Sequence, residues 1–140
     1  MIVGIMQPYF LPYLGYWQLI NSVDKFVIYD DVNYIKGGWI NRNRYLYNGE
    51  AKVFNIIMKN SSSFKKINEI ELMGSQGNYN PMKKLYSTFE MAYRKAPYFN
   101  DISILLKNIL EFNENNLANF IGYSMKCICE YLGIKTELIM

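Results

Sequence analysis

Apolar positions along this chain follow two patterns. Near the N-terminus they come as short runs, Ile2 to Ile5 and Lys25-Phe26-Val27-Ile28-Tyr29, bounded by turn-forming or polar residues. Runs of this length read as strands, and the stretch from Pro12 to Ile20 between them reads as a helix. The resulting unit is strand, structured loop, helix, strand, a parallel pair joined by a right-handed crossover. In the C-terminal half the spacing changes. Met82, Leu85, Phe89 and Tyr93 recur at helical intervals from Asn80-Pro81 until Ala96-Pro97 stops them. A second helix is predicted over residues 99–112, and a third over 116–132, closed by Gly133. Thr136 to Met140 then reads as another buried strand, entered from a helix as in an α/β unit.

Between these halves, residues 40–47 and 51–58 flank Asn48-Gly49, the dipeptide most favoured in a two-residue type I′ turn, which predicts a β-hairpin. Alternation along its first strand places Asn41, Asn43, Tyr45 and Tyr47 on one face and Arg42, Arg44 and Leu46 on the other. Residues 61–67 form a polar connection, and Ile67 to Leu72 suggest a short strand. The fold class expected is α/β: a Rossmann-like parallel sheet core with an inserted β-hairpin and a helical C-terminal half, residues 1–140 forming a single domain. In open sheets of this type the ligand lies beyond the carboxyl ends of the strands, here the loops Gln7 to Pro12 and Asp30-Asp31.

The first loop is stiffened by Pro8 and Pro12, which fix two φ angles and restrain Gln7 and Leu11 toward extended conformations. Pro12 suits the first position of a helix. Gly15 removes a side chain where a ligand or strand comes close, and the helix N-terminus favours a phosphate or carboxylate. The competing reading is a tight turn whose aromatic residues plug the sheet end. Pro12 to Tyr16 has the placement of the His-x-Gly-His signature of nucleotidyltransferases, but both histidine positions are tyrosine and the chain has no histidine. Adenylyl transfer by that mechanism is therefore not expected.

Composition narrows the field. With 140 residues, 51% hydrophobic and 16% aromatic, the chain suffices for one domain. A net charge of +3 without a basic stripe argues against nucleic acid as a structural partner. No apolar stretch reaches the length of a membrane span and no cleavable leader is evident, so the cytoplasm is the expected location. Cys127 and Cys129 lie two apart in a predicted helix, on different faces, and read as buried thiols. Without histidine the chain has too few ligands for an ordinary zinc site.

Asp30, Asp31, Lys36, Asn41, Arg42, Asn43 and Arg44 follow the second strand closely, where they would surround a ligand in the crevice. Arginine holds phosphate or carboxylate bidentately, and aspartate serves as base, binds a sugar hydroxyl or helps hold a divalent metal. Solvated surface charge around a hairpin is the competing explanation for each residue alone. The cluster beside a rigid loop favours a site, with Asp30 and Asp31 as catalytic candidates and Gln7, Tyr9, Tyr13, Gly15, Tyr16, Lys36, Asn41, Arg42 and Arg44 as substrate-binding candidates.

Three segments, Met6-Gln7-Pro8-Tyr9-Phe10-Leu11-Pro12-Tyr13-Leu14-Gly15-Tyr16-Trp17-Gln18-Leu19-Ile20, Val23-Asp24-Lys25-Phe26-Val27-Ile28-Tyr29-Asp30-Asp31-Val32 and Gly38-Trp39-Ile40-Asn41-Arg42-Asn43, resemble the WbqC-like family. The resemblance implies a bacterial protein of O-antigen or other surface-polysaccharide biosynthesis. It also implies a possible role as aminoacyl (glycine) transferase acting on a nucleotide-linked amino sugar. The activated donor, supplied through ATP or aminoacyl-tRNA, is left open, and no cofactor is assigned. The alternative is a non-catalytic subunit that binds a nucleotide or nucleotide-sugar. Family members usually continue beyond the position of Met140, so the chain is expected to be a fragment or truncated form, or else a short member, and to self-associate as a homo-oligomer or pair with a C-terminal half.

Overall fold

A computed structural model describes residues 1–140. The N-terminal apolar run forms β1 (Val3–Met6), a loop leads to α1 (Leu14–Asn21), and the chain returns as β2 (Lys25–Ile28). The hairpin is β3 (Arg42–Tyr47) and β4 (Glu50–Asn55), followed by the two-residue β5 (Met58–Lys59) and β6 (Glu71–Leu72). Three helices, α2 (Pro81–Tyr93), α3 (Phe99–Leu110) and α4 (Leu117–Leu132), precede β7 (Glu137–Ile139). The central sheet has the order β1-β2-β7, parallel throughout, with Val3 beside Lys25 and Lys25 beside Glu137. The α/β class and the parallel core are thus as the sequence predicts, and β7 takes a sheet edge.

Local chemistry accounts for the element ends. Asn80 caps α2 by accepting from the N–H groups of Met82 and Lys83, while Pro81 occupies the first turn, where no N–H is needed. Asn116 caps α4 by accepting from Asn119 N–H, and Gly133 ends it at φ 70°, a conformation that glycine adopts without steric cost. In the hairpin, Asn48 and Gly49 have φ of 51° and 79°, as a type I′ turn requires, and Tyr47 pairs with Glu50.

Four details differ from the sequence expectation. Pro12 does not open the helix: Tyr13 is the N-cap and Pro12 precedes it, its carbonyl accepting the indole N–H of Trp17 at 3.1 Å. Leu11 is not extended but left-handed, at φ 48°. The tertiary structure holds it there, because Phe10 on one side is fully buried and the Leu11 carbonyl accepts Asn43 Nδ2 at 2.6 Å. The hairpin strands are shorter than 40–47 and 51–58, since Ile40 and Ile56 leave the ladder for the core. Residues 67–69 form a 3₁₀ turn, so only Glu71 and Leu72 are strand.

The core is built around aromatic contacts. Phe10 packs 5.6 Å from Phe120 of α4 and 6.1 Å from Phe54 of β4, between ring centroids. Phe54 meets Phe89 of α2 edge-on at 4.9 Å, and Tyr16 meets Phe26 of β2 at 5.5 Å. One loop residue, Phe10, therefore joins the hairpin to α4, while Tyr16 of α1 joins the sheet. No helix is long and apolar enough to cross a membrane.

Candidate functional site

The carboxyl ends of β1 and β2 open into a crevice of about 570 Å³ lined mainly by apolar and aromatic side chains. One wall is the first loop and the start of α1, with Gln7, Tyr9, Tyr13 and Tyr16; the other comprises Tyr29, Ile35, Trp39 and Ile40. The first wall is rigid. Phe10 N–H donates to Ile40 O at 2.9 Å, and the Tyr16 hydroxyl donates to Gln7 O at 2.7 Å. Tyr9 stands edge-on to Tyr16, centroids 6.2 Å apart, and 6.3 Å from Tyr13.

Electrostatics in this wall favour neutral phenols. Burial drives the Tyr16 phenol far above its ordinary range, with Tyr13 adding to the effect. Tyr9 is raised for the same two reasons, opposed by the positive charges of Arg42 and Arg44. Both guanidinium groups face Trp39, at 4.7 Å and 5.3 Å from its ring centroid. Arg42 also donates to Gly37 O, and its Nε is buried without a partner. Neither arginine takes part in a salt bridge. Two cations thus share one indole at the edge of the crevice with no carboxylate to neutralise them, and guanidinium groups of this kind are able to hold an anion.

Gln7, Tyr9, Tyr13 and Tyr16 are thus brought together, with Arg42 and Arg44 beside them. The other candidates are placed elsewhere. Gly15 lies beneath Tyr13, whose ring is 2.8 Å from where a Cβ would stand, so that ring fills the space which the missing side chain leaves. Asn41 is buried and braces the interior, accepting the Tyr34 hydroxyl at 2.9 Å and donating to Ile56 O at 3.2 Å. Lys36 is exposed and outside the lining. Asp31 is ion-paired with Lys66, whose ammonium is raised above its usual range by that hydrogen bond and charge. Asp30 follows Tyr29 but is not among the lining residues.

Trp39, Tyr29, Ile35 and Ile5 line the crevice without having been singled out from sequence. The usable signal was Gly37-Gly38-Trp39, an aromatic residue in a glycine loop that has no strand or helix to bury it. A larger cavity, about 660 Å³, lies between the start of α2 and the end of α3. Its lining mixes Lys83, Glu90, Lys107 and Glu114, and the Asn80 side-chain oxygen there is already spent on capping. Position at the strand ends and the two unpaired arginines mark the smaller crevice as the candidate site.

Comparison with known proteins agrees with the sequence motifs. The model of the WbqC-like protein family matches residues 7–140. The chain is 34% identical over 138 residues to Uncharacterized protein Rv1507c of Mycobacterium tuberculosis (strain ATCC 25618 / H37Rv), a match covering 97% of this chain and 58% of that protein. The chain therefore spans less than two thirds of the length of this relative. No solved structure gives a significant match. On the family match across almost its whole length, the chain belongs to the WbqC-like protein family.

Proposed function

We propose that the crevice binds a nucleotide-linked sugar, with a ring of the ligand against the tyrosine wall and its phosphates at Arg42 and Arg44. The observation that carries this reading is the pair of guanidinium groups sharing Trp39 with no acidic partner, beside an aromatic crevice at the strand ends. Flat rings stack on aromatic faces, and phosphates accept charge-assisted hydrogen bonds from arginine. In this reading the protein acts in the cytoplasm, in bacterial surface-polysaccharide (O-antigen) biosynthesis, and transfers an aminoacyl (glycyl) group to the amine of the bound amino sugar. The neutral amine attacks the acyl carbon of an activated donor, an aminoacyl adenylate or ester, and the tetrahedral intermediate collapses by breaking the C–O bond to the activating group, which leaves as the amide forms. Asp30, next to the crevice residue Tyr29, takes the proton; Asp31 is held by Lys66. Neither cysteine suits covalent catalysis, since both are buried in α4 and burial pushes the Cys129 thiol up to about 11. The donor therefore arrives already activated.

A non-catalytic binding role is favoured by one observation, that no carboxylate lines the crevice. Calorimetric titration with nucleoside-diphosphate amino sugars tests the binding, and mass spectrometry after adding an activated amino acid tests the transfer. Saturable binding without a mass-shifted sugar would leave the binding role; absence of binding by any nucleotide-linked sugar would overturn both.

A further inference from the structure

The three-stranded sheet is covered on one face only. Gly4 and Phe26, at the same level, are buried, as is Ile28 at the next inward-pointing position. The opposite face carries Val3, Lys25 and Glu137 in one row and Ile5, Val27 and Ile139 in the next. Ile5 is 59% exposed and Val3 48%, with Ile2 and Tyr29 open beside them. Parallel sheets occur almost only with both faces covered, and a contiguous apolar patch of this kind marks an interface. The crevice is open to this face as well, because Ile5 and Tyr29 belong to both.

The charges on the face identify what fits it. Lys25 and Glu137 are paired at 3.0 Å, and they are the only ionisable residues in the two rows. The face is therefore neutral, which suits neither an anionic membrane nor nucleic acid. It is also self-complementary. In a two-fold arrangement the apolar rows abut, and each copy's lysine meets the other's glutamate, so no charge is buried alone. We infer that two copies of this chain pack bare face to bare face, each closing the open side of the other's crevice. The inference is independent of what the crevice binds, and its test reads mass rather than ligand.

Sedimentation equilibrium on the 140-residue chain is expected to give twice the protomer mass. Ile5→Lys should return it to the monomer, with far-UV circular dichroism unchanged because that side chain is exposed. Lys25→Glu, which sets like charges together, should weaken association at least tenfold, and the exchange Lys25→Glu with Glu137→Lys should restore it. A monomer at every concentration, or a dimer indifferent to Ile5→Lys and Lys25→Glu, would overturn the inference. So would a monomer that is stabilised only by a polypeptide equivalent to the unmatched two fifths of the mycobacterial relative, since the face would then belong to that segment.

Discussion

Arg42 and Arg44 lean on the same indole, yet they are held differently. Arg42 is half-buried and tied to Gly37 O, whereas Arg44 is exposed and has only Trp39. Charge-assisted hydrogen bonds contribute about 1.5–3 kcal/mol each, so Arg42→Ala is expected to weaken nucleotide-sugar binding roughly tenfold or more. Arg44→Lys should be milder than Arg44→Ala, because lysine keeps the charge but loses the flat contact with Trp39. Calorimetry on the three variants checks this, and equal affinity in all would remove both residues from the site. Asn41 belongs to a different class. Asn41→Ala leaves the Tyr34 hydroxyl and Ile56 carbonyl unpaired in the interior, a loss of about 1–3 kcal/mol in urea unfolding. Tyr34→Phe removes one bond of the same pair and should cost about 1 kcal/mol.

At the scale of elements, the hairpin and the first loop depend on each other. Its turn needs positive φ at Asn48 and Gly49, so Gly49→Val is expected to destabilise the protein by roughly 1–2 kcal/mol, read as a lower urea midpoint. The link to the loop is Asn43, whose Nδ2 holds the carbonyl of left-handed Leu11. A non-glycine residue at positive φ costs about 1–3 kcal/mol and persists only where its surroundings impose it. Asn43→Ala should therefore release the loop and speed amide exchange at Phe10, whose N–H bonds Ile40 O, while the far end of the hairpin stays protected. Unchanged exchange there would show that the burial of Phe10 alone holds the loop.

For the whole molecule, alkaline pH is the informative variable. The folded-state pKa values of Tyr16 and Cys129 are both raised by burial, the thiol from 9.0 to about 11. Below about pH 9 each group is protonated in both states, and its contribution is complete. As pH rises, the unfolded chain loses these protons before the native state does, so stability falls with increasing pH. Urea midpoints should decline from about pH 9 upward, with a shallower slope in Cys129→Ala across pH 9–11. A flat profile to pH 11 would mean that neither group is withheld from solvent.

Residue order by itself determined the elements: short apolar runs made strands, helical spacing made the three C-terminal helices, and Asn48-Gly49 and Asn80-Pro81 set a turn and a cap through local backbone preference. These are short-range effects, legible because each needs only neighbouring residues. The motifs also pointed to the strand ends where the crevice lies, lined by Gln7, Tyr9, Tyr13 and Tyr16, with Arg42 and Arg44 against Trp39 at its edge. What only the tertiary structure decided was the direction each polar side chain took. Asn41 turned inward because a buried carbonyl and hydroxyl needed partners, Asp31 turned to Lys66, and Leu11 was forced to positive φ. Trp39 lines the crevice and carries Arg42 and Arg44, two residues apart on β3, against its ring. The bare face of the sheet has the same origin: apolar runs predict burial, but which side α1 and α4 cover depends on packing across the whole chain.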